Sequence, residues 1–426
     1  MAEAPASSEK VPLFRQEKRG GLTYRIPALL YLPPESSFLA FAEERSSPQD
    51  RDAKFLVMRR GQKEGTTVQW GPPEPLLTAT LPKYRTMNPC PVYERKSGTV
   101  FLFFICVLDH ITSRYQIAMG RSAVRLCHVS SRDGGRTWSE ATDLTGQLMG
   151  GSLRNWATFA VGPGHGVQLR SGRLVVPAYA YCIHRRCLGC FSVCFTKPHS
   201  FTLYSDDGGR NWVRGQLLQG LQTTECQVAE LTRPDSRRRL YINARSQSRA
   251  RCRAEAFSSD DGQLFEGSSL CRQLCEPPHG CQGSVVSFTP QPALSDPGRE
   301  EEAAEAAHLL GIHPSCSSIK SGSSWLMFSH PVSRSKRLDL GIYLNPSPLE
   351  EGGWKAPWVL QSGPSGYSDL AVCEGGESLA FGCLFECGVT SPYEEIAFRL
   401  FTDGELLENV RLDRSCADSP PAAPHA

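Results

Sequence analysis

The segment from Cys182 to Phe195 contains the residue types with the widest choice of chemistry. Its four cysteines are Cys182, Cys187, Cys190 and Cys194, and they are accompanied by His184 and two phenylalanines. His184 and the last three cysteines could bind zinc, although structural zinc sites usually have tighter paired spacing. Cysteines exposed among apolar and basic residues could instead carry acyl chains that attach a soluble protein to a bilayer. In a third interpretation they are buried thiols that pack a loop. The residues alone leave these three interpretations open.

A turn pattern, S-x-D-x-G-x-x-[WF], occurs three times, and the rest of the chain is organised around it. The copies run from Ser131 to Trp138, from Ser205 to Trp212 and from Ser258 to Phe265. The Asp can accept hydrogen bonds from backbone N–H groups ahead of it, the Gly permits positive φ, and the aromatic ring packs beneath. No residue in these turns is a nucleophile or a positioned base, so we interpret them as structural. Three copies, each after a short β-like run, predict repeated sheet units.

Composition and charge limit the class of protein. The 426 residues include 38 Gly and 31 Pro, which fits an all-β chain with many turns, and the net charge of +2 gives no reason to expect nucleic acid. The 17 Cys are odd in number and irregularly spaced, and the first ten residues lack the apolar core of a signal peptide. We therefore expect mostly reduced thiols in the cytosol. The longest apolar run, Val100–Leu108, is far short of the roughly 20 residues of a membrane-spanning helix.

Short apolar or alternating runs predict the strands that carry the turns. We predict strands at 23–31, 38–43, 54–59, 100–107, 174–181, 240–244, 283–288, 340–344, 379–385 and 396–401. Residues 86–91 are predicted as a loop, and Pro27 marks an irregular point where a side chain can be re-aimed. We expect a flexible tail at 1–10, a single domain at 11–410 with a mobile inserted loop at 289–324, and a disordered tail at 411–426.

The chain resembles the sialidase (neuraminidase) family from about Leu13 to Phe401. The resemblance rests on Tyr24-Arg-Ile-Pro27, on the repeated turns, and on ordered motifs such as Arg-Thr-Met-Asn-Pro-Cys-Pro (85–91), Glu-Cys-Gln-Val-Ala-Glu (225–230) and Gly-Tyr-Ser-Asp-Leu (366–370). It is greatest to the mammalian-type plasma-membrane ganglioside sialidases. It implies a six-bladed β-propeller, with the repeated turns as Asp boxes and the site on the axis. The implied activity is exo-α-sialidase hydrolysis with retention and without a metal or other cofactor.

Sialic acid carries a carboxylate on its anomeric carbon, so the enzyme needs fixed positive charge there. Arginine suits this task because its planar fork matches a carboxylate and it stays charged at any working pH. By resemblance the three arginines are Arg25, Arg245 and Arg337, and Glu386 orients the first of them. Each lies inside or beside a predicted strand, where an unpaired guanidinium would be costly. A solvated surface charge is the alternative for any one of them.

The resemblance also implies a tyrosine nucleophile, an exception among glycosidases. A neutral phenol avoids the repulsion that a second carboxylate would meet, but its ordinary pKa near 10 requires a base beside it. We assign Tyr367 as the nucleophile and Glu225 as its base, with Glu230 as the second choice. Asp50 is the proposed general acid and base, and Asp52 competes with it.

Recognition residues follow from the same resemblance. Arg45 assists at the carboxylate or the 4-hydroxyl, whereas the residues expected at the N-acetyl side are Ile26, Met87 and Asn88. Tyr179 and Tyr181 are expected to face the glycerol chain, with Gln282 reaching the same region, and a strand-core role is the alternative for the two tyrosines. Ser113 occupies a position where relatives have Glu, so a carboxylate that contacts the glycerol chain is absent or comes from elsewhere.

The expected substrate is a ganglioside, whose ceramide stays in the bilayer. We therefore expect a peripheral protein of the plasma membrane, with endosomal or lysosomal membranes as further locations. S-acylation near Cys182, Cys187, Cys190 and Cys194 is then the favoured interpretation of that segment. Two other functions stay open: a non-catalytic propeller that binds sialoglycans, and a trans-sialidase in which a sugar intercepts the intermediate.

Overall fold

The computed structural model describes residues 9–186, 194–233, 235, 237–290, 323–374 and 379–417, with the backbone alone at 194 and 411–417. Regular structure within these ranges is almost entirely antiparallel β-sheet, as predicted. Most of the predicted tail at 1–10 and of the predicted loop at 289–324 lies outside the described residues.

The first three sheets follow one another along the chain. The first contains β2 (Thr23–Leu32), β3 (Ser37–Arg45), β4 (Ala53–Glu64), β5 (Thr67–Trp70) and β6 (Glu74–Pro75). The second contains β7 (Tyr84–Glu94), β8 (Thr99–Leu108), β9 (Val124–Ser131) and β10 (Thr142–Asp143). The third contains β11 (Trp156–Val161), β12 (Val167–Gln168), β13 (Leu174–Arg186), β14 (Cys194–Ser205) and β15 (Val213–Arg214). Neighbouring strands in each sheet are mostly consecutive in the chain, while β6 pairs with β4 and β12 with β13.

The fourth and fifth sheets complete the structure. The fourth contains β16 (Thr223–Thr232), β17 (Arg238–Ser246), β18 (Cys252–Ser258) and β19 (Ser269–Cys275). The fifth has seven strands: β20 (Ser284–Phe288), β21 (Trp325–Pro331), β22 (Leu338–Asn345), β23 (Trp358–Cys373), β24 (Ala380–Cys387), β25 (Glu395–Thr402) and β1 (Val11–Arg15). Its long strand β23 pairs with β22 through 358–364 and with β24 through 365–373. Since β1 pairs with β25, the first strand of the chain lies beside the last.

Hydrophobic clusters fill the gaps between these layers. One cluster packs within the seven-stranded sheet, through Ile342 and Phe381 for example. Among the described residues, five others join neighbouring sheets, through pairs such as Phe41 and Leu102, Phe103 and Phe201, Val175 and Ile242, Tyr241 and Phe328, and Phe38 and Phe398. The last pair joins β3 of the first sheet to β25 of the last. The succession of sheets therefore closes on itself, and its core lies between the layers.

The three repeated turns lie at equivalent places, after β9, β14 and β18, and each leads to the short outer strand of its sheet. In the first turn, Asp133 Oδ1 accepts hydrogen bonds from the N–H groups of Arg136 (3.0 Å) and Thr137 (2.9 Å). Gly134 and Gly135 adopt φ values of 67° and 81°, which side chains with a Cβ rarely tolerate. These turns hold the outer edges of the sheets, and the sequence correctly separates them from the catalytic candidates.

One prediction about local structure is wrong. Residues 86–91 are not a loop but part of β7, because an irregularity in the strand register between Met87 and Cys90 accommodates the proline at 89. Helices are α1 (Ser113–Met119), α2 (Thr145–Met149) and α3 (Asp403–Ala417). The last enters the segment 411–426, for which disorder was predicted. Its start is capped by Thr402 Oγ1, which accepts from Glu405 N, and Leu406 and Val410 are buried one turn apart.

Candidate active site

Strand irregularities aim the candidate side chains. Four strands each contain an irregularity in their pairing register. It lies at 25–28 in β2, at 87–90 in β7, at 223–226 in β16 and at 365–368 in β23. A bulge leaves residues out of the ladder and re-aims their side chains. At or within these shifts lie Arg25, Ile26, Met87, Asn88, Glu225 and Tyr367. The bulge predicted at Pro27 is confirmed, and Ile26 and Asn88 adopt left-handed φ values of 61° and 59°. Such strain in a β-branched residue is concentrated at functional sites.

Tyr367 and Glu225 are in direct contact. The hydroxyl of Tyr367 donates a hydrogen bond to Glu225 Oε1, and Arg245 Nη1 donates to Glu225 Oε2 at 2.8 Å and to the Tyr367 oxygen at 3.4 Å. Burial, and then the negative charge of Glu225, raise the pKa of Tyr367 well above its ordinary value, against the opposing effect of Arg245 and Arg337. The resting phenol is therefore protonated and has an acceptor in place for its proton.

Three guanidinium groups surround this tyrosine. The Cζ atoms of Arg25 and Arg337 each lie 5.3 Å from the centre of the Tyr367 ring, and Arg245 contacts its hydroxyl. Arg25 and Arg245 pair with carboxylates, whereas Arg337 donates to the carbonyl of Gly280 at 3.0 Å and has no carboxylate partner among the described residues. The cluster thus keeps excess positive charge, which suits an anionic ligand.

A buried carboxylate, Glu386 on β24, connects the parts of this cluster. Its side chain is fully enclosed, with Oε1 accepting from Arg25 Nε (2.8 Å) and from the N–H of Ile26 (3.0 Å). Its Oε2 accepts from the N–H of Tyr367 at 3.0 Å. A Cβ on Gly366 would overlap the same carboxylate. Glu386 is therefore the ion-pair partner of Arg25, and it also satisfies two backbone groups that the bulges remove from the ladder.

Asp50 lies at the edge of the cluster, in the loop between β3 and β4. Its side chain is 67% exposed, and Oδ1 accepts from Arg45 Nη1 at 2.7 Å. Burial would raise the pKa of Asp50, but the positive charges of Arg45, Arg25 and Arg85 outweigh it and lower the pKa. Asp50 is thus held by Arg45 and lies within the positive field of the neighbouring arginines.

The two alternative carboxylates lie elsewhere. Asp52 Oδ2 accepts from Ser47 Oγ within its own loop. Glu230 lies five residues beyond Glu225 on β16, roughly 16 Å along the strand, where it accepts from the N–H of Arg170 at 2.9 Å. Glu230 therefore does not reach Tyr367, and the second choice of base is wrong.

The residues expected to bind the N-acetyl group are enclosed beside the tyrosine. Ile26 shares a small cluster with Cys281 and Tyr367, while Met87 and Asn88 are also buried. The Nδ2 of Asn88 donates to the carbonyl of Val161 at 3.3 Å. These side chains therefore form a close-packed wall on one side of the cluster.

An open cavity of about 750 Å³ adjoins the cluster at Glu225 and Arg245. It is lined by Tyr179, Tyr181, Glu225 and Arg245 and extends to the loop 276–280. The two tyrosines lie on one face of β13 with their ring centres 6.4 Å apart, so they are not core residues of the strand alone. Gln282 is not among the cavity residues. It is 1% exposed and its amide bonds the backbone of Ser368 and the Pro163 carbonyl.

Sequence reasoning missed two residues of this region. Glu43, on β3, accepts from both Arg45 and the N–H of Asn88, and the ring of Tyr393 lies 4.2 Å from Arg25 Cζ. The alternation of Glu43 and Arg45 along one strand face was a visible signal, whereas nothing local indicates the contact of Tyr393. Ser113, where relatives have Glu, is exposed at the start of α1.

The cysteine segment is described only in part. Burial raises the pKa of the half-buried Cys182 thiol to about 11, whereas Cys187, Cys190 and the side chain of Cys194 lie outside the described residues. Phe195 is 57% exposed at the end of that segment. In the parts of the chain that the structure describes, no helix combines the length and apolarity needed to cross a membrane.

Comparison with known proteins gives consistent matches over nearly the whole chain. The BNR repeat-like domain family matches residues 36–379. The chain is 54% identical to Sialidase-3 of Homo sapiens, covering 97% of both chains, and 43% identical to Sialidase-4 of Homo sapiens, covering 95% of both. Among solved structures, the Hadza microbial sialidase Hz136 superposes with a TM-score of 0.69 at 21% identity, over 93% of this chain and 69% of that one.

Proposed function

Because this chain belongs to the sialidase family and is a glycoside hydrolase with exo-sialidase activity, we propose that it releases terminal sialic acid from gangliosides through a covalent tyrosyl intermediate. The observation that supports this mechanism is the contact of the Tyr367 hydroxyl with Glu225 beneath three arginines. No other tyrosine among the described residues combines a carboxylate at its hydroxyl with guanidinium groups around its ring.

The substrate carboxylate binds first. Arg25, Arg245 and Arg337 hold it, and Arg337 contributes the charge that no protein carboxylate offsets. This places the anomeric carbon above the Tyr367 oxygen. A neutral phenol can approach there, whereas an anionic nucleophile would meet the carboxylate on the same carbon.

The chemistry then proceeds in two steps. Tyr367 Oη bonds to the anomeric carbon while its proton passes to Glu225, and the bond to the leaving oxygen breaks as Asp50 protonates that oxygen. In the second step Asp50 removes a proton from water, the water oxygen bonds to the anomeric carbon, and the tyrosyl bond breaks as Glu225 returns the proton. Two inversions give net retention.

We also propose the finer architecture that the resemblance implies. The division of β23 between two partners, and the hydrophobic cluster inside this seven-stranded sheet, support its division into two blades and hence six blades in one ring, which is closed by β1 beside β25. The repeated turns act as Asp boxes at the blade edges. A single domain spanning 11–410 follows from this closure.

The membrane proposal rests on the substrate. A ganglioside is reached at the bilayer surface, so the enzyme is a peripheral protein of the plasma membrane, and of endosomal or lysosomal membranes. Cys182, followed by exposed Arg185 and Arg186 and by Phe195, supports attachment near this hairpin through S-acylation. Cys→Ser variants that partition to membranes like the wild type would exclude acylation as the anchor.

The direct test compares wild type, Tyr367→Phe and Tyr204→Phe on a ganglioside in detergent micelles, with free sialic acid as the readout. Tyr204 is the matched control, since it is as buried as Tyr367 (7% exposed each) and packs against Arg173 instead. We expect near-complete loss only in Tyr367→Phe. Sialoglycan binding without release by the wild type would indicate a lectin, and sialyl transfer to added lactose would indicate a trans-sialidase.

A further inference from the structure

Glu43 forms a buried bridge between two parts of the site. It is fully enclosed on β3, and its Oε2 accepts from Arg45 Nε at 2.8 Å and Nη2 at 2.6 Å. Its other oxygen, Oε1, accepts from the N–H of Asn88 at 2.7 Å. One carboxylate thus supports both Arg45 and the bulge at 87–90, which carries two of the residues expected to bind the N-acetyl group.

Arg45 carries this bridge to Asp50. The guanidinium is fully enclosed, and the nitrogen that Glu43 leaves free, Nη1, donates to Asp50 Oδ1 at 2.7 Å and to the carbonyl of Pro48 at 3.1 Å. Arg45 therefore lies between a buried carboxylate and an exposed one. It is the direct ion-pair partner of Asp50 among the described residues.

We propose that Glu43 is a positioning residue that fixes Arg45 beneath Asp50 and shares its positive charge, so that Asp50 keeps the proton that it must give to a leaving oxygen. This inference rests on the proposed function, because it assigns Glu43 a role that acts through Asp50. Its physical basis is the sharing of one guanidinium: each carboxylate that neutralises Arg45 weakens the attraction that Arg45 exerts on the other.

The surrounding charges determine the direction of the effect. The positive groups around Asp50 are Arg45, Arg25 and Arg85, and Glu43 opposes them in its ionised form. Burial raises the pKa of Glu43, while the charge of Arg45 and the N–H of Asn88 favour the ionised carboxylate. Removing the charge of Glu43 leaves Arg45 to act on Asp50 alone. The ionised form of Asp50 is then favoured, and the enzyme loses its acid at a lower pH.

The test uses Glu43→Gln with Glu44→Gln as the matched control. Gln keeps the size of the side chain and an oxygen for the N–H of Asn88 but removes the charge. Glu44 is the next residue on the same strand and contacts Lys54 (3.8 Å) and the Tyr24 hydroxyl (3.4 Å) instead. Each variant is assayed on 3′-sialyllactose, whose sugar leaving group needs an acid, and on 4-nitrophenyl sialoside, whose leaving group does not.

For Glu43→Gln we expect kcat on sialyllactose to fall by about tenfold or more, a part of the 10²–10⁴-fold that general acid catalysis supplies. The loss on the nitrophenyl substrate should be much smaller, and the alkaline limb of the sialyllactose pH profile should move to lower pH. Glu44→Gln should behave as wild type. Equal losses on both substrates, or an unmoved pH profile, would overturn the proposal.

A double variant separates this inference from the proposed function. In an Asp50→Asn background, Glu43→Gln should add no further dependence on the leaving group. If Asp50→Asn itself shows no such dependence, the assignment of Asp50 fails and the proposed mechanism with it. If only the Glu43 effect is missing, the inference alone fails. Should Glu43→Gln not fold, Arg45→Lys replaces it, because Lys keeps the charge but cannot join both carboxylates.

Discussion

Glu386 offers a strong test of how the site is held together. Glu386→Gln removes the only carboxylate partner of a buried Arg25 among the described residues while retaining the size of the side chain. Breaking one side of a buried ion pair costs about 3–5 kcal/mol, and the amide group of Gln cannot accept from Arg25, Ile26 and Tyr367 at both atoms as the carboxylate does. We therefore expect the free energy of unfolding to fall by at least about 3 kcal/mol.

The size of the chain determines how far this loss of unfolding free energy lowers Tm. An unfolding entropy of about 2.1 cal/mol/K per residue gives roughly 0.9 kcal/mol/K for 426 residues. A loss of about 3–5 kcal/mol then lowers Tm by roughly 3–6 °C if the ring unfolds as one unit. Catalysis should suffer more than stability, because Arg25 and Tyr367 lose their common anchor, and we expect a higher KM together with a lower kcat.

Differential scanning fluorimetry and steady-state kinetics measure both effects. Glu266→Gln is the control, since Glu266 pairs with Arg239 at 2.8 Å but the Glu266 side chain is 54% exposed. Such surface pairs contribute about 0–1 kcal/mol, so Tm should fall by about 1 °C or less. If the Tm of Glu386→Gln falls no further than that of the control, or if the variant keeps the wild-type KM and kcat, the reasoning about a buried anchor is wrong.

Three further predictions concern the same cluster. Gly366→Ala should lower the free energy of unfolding by about 1–3 kcal/mol and reduce activity, because the new Cβ overlaps Glu386. Gly146→Ala, whose new Cβ meets nothing within 4 Å, should do neither. Arg337→Ala should raise KM about tenfold to a hundredfold through the loss of a charged hydrogen bond to the substrate carboxylate, while exposed Arg334→Ala should leave KM unchanged in the same assay. The pH optimum on sialyllactose should be acidic: despite burial, neighbouring guanidinium groups lower the pKa of Asp50, so its protonated fraction falls as the pH rises, and an optimum above neutrality would contradict its role as the acid.

The sequence predicted the strands well because their signal is local. Alternating apolar residues indicate β2 and β3, and Asp-Gly turns indicate where β9, β14 and β18 end. It failed at Asn88, where a backbone φ of 59° keeps a proline-containing segment within β7. Local composition cannot indicate this, because the N–H of Asn88 is held by Glu43, 45 residues earlier in the chain.

The prediction of the catalytic candidates depended on sequence motifs. The structure shows which of the predicted side chains are in contact. Tyr367 and Glu225 are 142 residues apart in the chain, and only the curvature of the sheets brings them into contact. Gln282 carries the right motif but is buried away from the cavity, because its amide bonds the backbone of Ser368. Pairings of this kind are set by tertiary packing, so a single sequence does not contain them.

The bulges have a consequence for how such a site changes during evolution or design. The N–H groups of Ile26 and Tyr367 bond Glu386, and that of Asn88 bonds Glu43, rather than a neighbouring strand. The side chains of Ile26 and Asn88 are therefore released from the demands of strand pairing and can vary with the substrate while the ladder persists, whereas Tyr367 stays fixed by its proposed role as the nucleophile. The structural constraint then falls on Glu386 and Glu43, which accept hydrogen bonds from these three N–H groups. A redesigned site that keeps them can exchange the residues above them, whereas one that replaces them must first find new acceptors for three amides.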